Sequence, residues 1–190
     1  AQEHAQIRAI LDCWYPGARG GKAIAEALFG EFSPCGKLPV TFYEGTEFLP
    51  DFTDYSMAGR TYRYTDRHVL YPFGYGLSYT TFEQTLKSVD VDLANRTVTA
   101  DADVTDFGIL EPVTVHVTVE NTGTYPVQEA VQVYVRFSER EAYDPGYQLK
   151  GIRSVALECG EKKEVCITLS TRDFALISEE GKCLVHPGSY

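Results

Sequence analysis

The chain has 190 residues, enough for one ordinary domain or two small ones; 44% are hydrophobic and 13% aromatic, which supports a packed core and argues against disorder. Its formal charge is −10, and nucleic acid or an anionic membrane surface would need basic patches, so neither is an expected partner. No apolar run approaches the ~18 residues that span a bilayer.

Residues 1–7 lack the basic and apolar regions of a signal peptide, and the only Met is Met57. Ala1 therefore reads as a boundary within a longer product, with targeting signals out of view. A short apolar stretch from Ile7 to Leu11 is expected to be a strand, broken by Cys13-Trp14-Tyr15-Pro16-Gly17. From Gly20 to Gly30 the spacing predicts a helix, because Ala23, Ile24, Ala27 and Leu28 recur at helical intervals and Gly30 is a good C-terminal stop. Pro34 and Gly36 turn the chain into Lys37–Tyr43, which reads as extended. Strand, helix and strand in succession make residues 1–50 the tail of an α/β domain, since roughly 40 such residues cannot cover both faces of a sheet alone.

Residues 51–80 form an aromatic linker. Its densest part, Leu70 to Phe82, alternates rings and glycines, a composition suited to a segment wedged between packed units. Beyond residue 80 the period becomes two. Val89, Val91 and Leu93, then Val98 to Val104, then Val113, Val115, Val117 and Val119 alternate with polar residues. Further runs follow at Val131–Val135, Val155–Leu157, Val165–Leu169 and Cys183–Val185, with turn chemistry at Asn121-Thr122-Gly123, Asp144-Pro145-Gly146, Cys159-Gly160 and Glu180-Gly181. About seven short half-exposed strands predict an immunoglobulin-like, fibronectin type III-like β-sandwich over residues 81–190. The fold class is thus mainly β, a sandwich preceded by the tail of an α/β sandwich domain.

Five cysteines, Cys13, Cys35, Cys159, Cys166 and Cys183, make an odd count without CxxC spacing or a His-rich neighbourhood. The expectation is buried thiols in a reducing compartment, hence a cytoplasmic protein, with neither a zinc site nor a disulfide framework; one Cys159–Cys166 bridge stays open.

Several stretches resemble the C-terminal portion of family 3 glycoside hydrolases, the β-glucosidases and β-xylosidases. Trp14-Tyr15-Pro16-Gly17, Gly20-Gly21, Ala23-Ile24-Ala25 and Leu28-Phe29-Gly30 are similar to the last strand-and-helix unit of that family's α/β sandwich domain, and Ser33 to Thr41 to the segment closing it. Met57 to Tyr64 and Leu70 to Phe82 look like the linker into a fibronectin type III-like domain, where Val119 to Gly123, Leu149-Lys150-Gly151 and Gly160 to Lys163 also fit. The resemblance implies a parent enzyme that hydrolyses β-glycosides with retention, using two carboxyl groups ~5–5.5 Å apart. It places the nucleophilic Asp on a preceding barrel and the acid/base Glu upstream of Trp14, and neither motif occurs in residues 1–190.

No site within the chain matches a catalytic pattern, so the expected catalytic residues are none, and no cofactor or metal is expected. Asp90/Asp92 and Asp101/Asp103 each share a strand face, but the polar one, where nothing desolvates a carboxyl group; Asp101, Asp103 and Asp106 lack the glycine and terminal Glu of an EF-hand. Gly17 to Lys22 fails the phosphate-loop spacing, and no Gly-x-Ser-x-Gly occurs. His4, His68, His116 and His186 are scattered, and Asn95-Arg96-Thr97 is a short glycosylation sequon. Arg60, Tyr62 and Trp14 are candidates for sugar contact, against the plainer reading that they pack between domains. The expected function is a non-catalytic C-terminal region bracing the catalytic domains of the same polypeptide, which act on a β-glycoside, with a homodimer contact as a further role. The alternative is a stand-alone carbohydrate-binding or protein-interaction module.

Overall fold

Alternating valines build the second half of the molecule. In the computed structural model, which describes residues 7–90, 102–103, 112–141, 143–186 and 189–190, strand β1 (Phe82–Asp90) pairs antiparallel with β3 (Val113–Asn121), and β3 with β6 (Lys162–Leu169). Strands β4 (Val127–Val135) and β5 (Gln148–Leu157) form a second antiparallel sheet, while β2 (Ala102–Asp103), β8 (Cys183–Val185) and β7 (Leu176–Ile177) form a third, small one. The register of β3 on β6 runs from Val113↔Leu169 to Glu120↔Lys162, so Val115, Val117 and Val119 share one face with Val165, Ile167 and Leu169. Val131 and Leu157 from the second sheet close on that face. Each such side chain contributes about 1.5–3 kcal/mol of burial.

Gly151 shows how closely the two sheets meet. A Cβ there would lie 2.4 Å from Ile167 Cγ2, so only glycine fits at this point of β5. It also borders a bulge in β5, where Lys150 is the extra residue between the pairs Val133↔Gly151 and Tyr134↔Leu149, which breaks the alternation of residues 148–154. Strand β1 likewise begins earlier than the Val89–Leu93 pattern indicates. The expected run Val98–Val104 falls largely outside the described residues, as do Asp92, Asp101, Asp106, His4 and the sequon at Asn95.

In the first half the helix α1 forms over Gly20–Leu28. It ends in a Schellman motif: Gly30 has φ +77°, its N–H donates to Ala27 O at 3.1 Å, and Glu31 N–H donates to Glu26 O at 2.8 Å. The flanking strands do not form. Residues 7–19 are irregular and largely exposed, and Lys37–Tyr43 makes one bridge, Phe42↔Tyr71. A strand exists only with a neighbour to take its hydrogen bonds, and among the described residues only the linker offers one. All five thiols are free, so the Cys159–Cys166 bridge is not made; contrary to expectation none is buried, Cys159 and Cys166 being exposed and the other three half-buried.

Candidate functional site

The chemistry of this chain concentrates at the seam where residues 27–43 and 60–80 meet the sandwich. Glu129 occupies a core-facing position of β4, in phase with Val127 and Val131, and is only 3% exposed. Its Oε1 lies 3.1 Å from Lys37 Nζ and accepts from Gln84 Nε2 at 3.2 Å; Oε2 has no hydrogen-bond partner among the described residues. Lys37, 15% exposed, also donates to Gly76 O at 2.9 Å. One ammonium thus ties the closing segment of the first half to both the linker and the sandwich. A Cβ at Gly76 would lie 2.1 Å from Gly36 O, so the linker backbone must run directly against that segment.

Tyrosine hydroxyls tie the helix end to the linker and to the sandwich. Besides the Gly30 N–H, Ala27 O at the end of α1 accepts from Tyr79 OH at 2.8 Å, and Gly30 O just past the helix accepts from Tyr125 OH in the loop after β3. Ser33 Oγ accepts from Tyr79 N–H at 3.0 Å. Behind Tyr125 stands Asn121, fully buried, whose Nδ2 donates to Tyr125 O at 2.7 Å while its Oδ1 accepts from Thr80 Oγ1 at 2.7 Å and Gly123 N–H at 3.1 Å. That Asn-Thr-Gly turn satisfies its own polar groups and holds the linker at once.

Of the three candidate sugar contacts, Tyr62 lies within this packing, while Arg60 and Trp14 lie outside it. Tyr62, in the short helix α2 (Thr61–Tyr64), stacks on Phe73 at 4.0 Å, meets Tyr134 and Tyr147 edge-on or tilted at 6.2 and 5.5 Å, and accepts Leu149 N–H at 3.1 Å. Burial pushes the Tyr134 phenol up, aided by the neighbouring Tyr62 and Tyr147 hydroxyls. Arg60 donates to three main-chain carbonyls, of Asp51, Asp54 and Ser56, rather than to a carboxylate. Trp14 is half exposed and meets Phe42 edge-on at 6.4 Å. Between the closing segment and the linker lies an apolar cleft of about 420 Å³ bordered by Val40, Thr41, Tyr43, Met57, Tyr62 and Phe73. Thr61 on its rim has φ +55°, strained for a β-branched residue, and its N–H donates to Tyr43 OH at 2.7 Å.

Two features lie beyond the sequence patterns. Glu129 is a charge in an apolar register, a signal visible in the run Val127-Gln128-Glu129-Ala130-Val131. The other is a convergence of His116, Glu164 and Cys166 on the outward face of the first sheet, which cross-strand register creates and no linear spacing encodes.

Comparison with known proteins fits this geometry. The model of the glycosyl hydrolase family 3 C-terminal domain matches residues 1–79, and that of the fibronectin type III-like domain matches residues 129–190. The chain has the C-terminal portion of the glycoside hydrolase family 3 architecture. It is 39% identical to a xylan 1,4-beta-xylosidase of Xylanibacter ruminicola over 96% of its own length and 19% of the relative's. It is 34% identical to a periplasmic beta-glucosidase of Salmonella typhimurium, over 100% of this chain and 25% of that one. The crystal structure of a beta-glucosidase from Kluyveromyces marxianus superposes with a TM-score of 0.70 at 33% identity, covering 88% of this chain and 20% of that one. The chain therefore spans about a fifth to a quarter of the length of the family 3 enzymes it matches, and it corresponds to their C-terminal region, not their catalytic part. In family 3 terms, the ion pair of Lys37 and Glu129 and the bond from Tyr125 OH to Gly30 O join the residues matched as the C-terminal domain to those of the sandwich.

Proposed function

We propose that this chain is the non-catalytic C-terminal region of a retaining β-glycosidase acting on β-glucosides or related sugars, and that its sandwich braces the catalytic domains of the same polypeptide. The observation that carries this reading is a contrast in burial. The sandwich closes its own core, whereas the first half leaves Tyr15 97% and Phe52 92% exposed, with Leu28, Phe29 and Tyr55 also largely bare. A broad apolar surface of this kind marks an interface. The proposed division is residues 1–50 as the end of an α/β sandwich domain, 51–80 as the linker and 81–190 as the brace. Tyr62 serves the packing of that seam rather than a sugar. Five free thiols support a reducing, cytoplasmic setting.

The purified chain is expected to leave chromogenic β-glucosides and β-xylosides uncleaved. Deleting the corresponding residues from the Xylanibacter ruminicola xylosidase is expected to leave that enzyme inactive or insoluble. Turnover that stays with the chain through rigorous purification would refute the non-catalytic assignment, and a truncated xylosidase with full stability and activity would refute the brace.

A further inference from the structure

The outward face of β3 and β6 gathers three ligand-type side chains on a rigid base. His116 and Cys166 are direct cross-strand partners, and Glu164 lies two residues before Cys166 on the same face of β6. His116 Nδ1 is 3.0 Å from Glu164 Oε1 and 3.3 Å from Cys166 Sγ, and the three donor atoms all lie within 4.8 Å of one another. Directly beneath them Val115, Val117, Val165 and Ile167 are buried in the core, so the strands carrying the ligands are held from below.

We propose that His116, Glu164 and Cys166 form a binding site for a divalent cation of the zinc class. A tetrahedral zinc centre, with Zn–S near 2.3 Å and Zn–N or Zn–O near 2.0–2.2 Å, places its donors roughly 3.4–3.6 Å apart. The two separations seen here are a few tenths shorter, so small side-chain rotations open the cluster to that geometry without moving the backbone. The donor set decides the class: a thiolate and an imidazole disfavour magnesium and calcium, which take oxygen ligands, and suit zinc. Glu164 keeps its other oxygen, Oε2, on Lys87 Nζ at 2.7 Å, which fixes the carboxylate while Oε1 faces the cluster. On binding, the Cys166 S–H bond breaks and its proton passes to solvent, the neutral His116 ring takes its Nε2–H tautomer so that Nδ1 carries no proton, and the sulfur and Nδ1 electron pairs form the bonds to the metal; no electrons are transferred. The fourth position is left to water.

Cobalt(II) serves as the probe, since it takes zinc's geometry and reports thiolate ligation by a near-ultraviolet charge-transfer band. The whole chain is expected to bind it saturably and equimolarly, to lose it to zinc, and to release a proton on zinc uptake. Cys166→Ser should abolish the band. His116→Gln and Glu164→Gln should each weaken binding by at least about tenfold, while Cys159→Ser, outside the cluster, should leave it unchanged. These exposed-face variants keep the buried core, so circular dichroism of the metal-free forms should match the parent. Absence of saturable binding, a charge-transfer band that survives Cys166→Ser, or undiminished affinity in both His116→Gln and Glu164→Gln would overturn the site.

Discussion

Lys37→Met tests the seam most directly. Lys37 Nζ and Glu129 Oε1 lie 3.1 Å apart, with side chains 15% and 3% exposed. At an effective dielectric of about 20, Coulomb's law gives roughly 5 kcal/mol of attraction at that distance, most of which offsets the desolvation of both ions. Removing the ammonium leaves a buried carboxylate with one amide donor, Gln84, and also strips Gly76 O of its partner. The expected cost is about 3–5 kcal/mol. With a urea m-value of about 2 kcal/mol/M, the midpoint should fall by roughly 1.5–2.5 M. Fluorescence of Trp14, the sole Trp, reports the first half, and circular dichroism reports the strands. Lys37→Met combined with Glu129→Leu removes the stranded charge and should recover most of the loss. A single variant within about 0.5 kcal/mol of the parent, or a double variant whose losses simply add, would refute the idea of a buried coupled pair.

Three further outcomes follow from the same structure. Gly151→Ala drives a Cβ into Ile167 and should destabilise the sandwich by about 1–3 kcal/mol in a thermal melt, and an unchanged midpoint would contradict the close sheet approach. Tyr125→Phe deletes the hydroxyl that caps Gly30 O and should cost about 1 kcal/mol, read as faster amide exchange in α1 with the sandwich strands unaffected. Asp51 and Asp54 are held low by hydrogen bonds from Thr53 and Ser56, Glu161 by Glu158 N–H and Lys163, and Glu180 chiefly by Ser178. The folded state therefore binds protons at these groups less readily than the unfolded chain. Their stabilisation is present above the ordinary carboxylate range and is lost on acidification below about pH 5; a melting temperature that rises between pH 5 and pH 3 would reverse that sign.

The valine alternation of β3 and β6 and the helical spacing that ends at Gly30 are local patterns, and both elements form where those patterns place them. Ile7–Leu11 shows the limit of such reading. Its apolar run predicts a strand, yet the residues are irregular and exposed, because strand formation depends on a neighbour that periodicity cannot supply. Residues 148–154 were obscured for another reason: a bulge and the bare Gly151 break the period of two just where the sheets press together. Arg60 reads from the sequence as a candidate sugar contact and in the structure holds carbonyls, since what a guanidinium finds depends on how the loop of residues 51–60 turns back on itself.

By itself the sequence determined the mainly β character and the family resemblance, because these rest on side-chain period, glycine and proline placement, and short motifs that act over a few residues. Tertiary structure alone decided which distant groups meet. Lys37 reaches Glu129 across 92 positions, Tyr125 reaches Gly30 across 95, and His116 reaches Cys166 across 50. Such pairs are set by strand register and by how two packed units close on each other, and a linear pattern records neither.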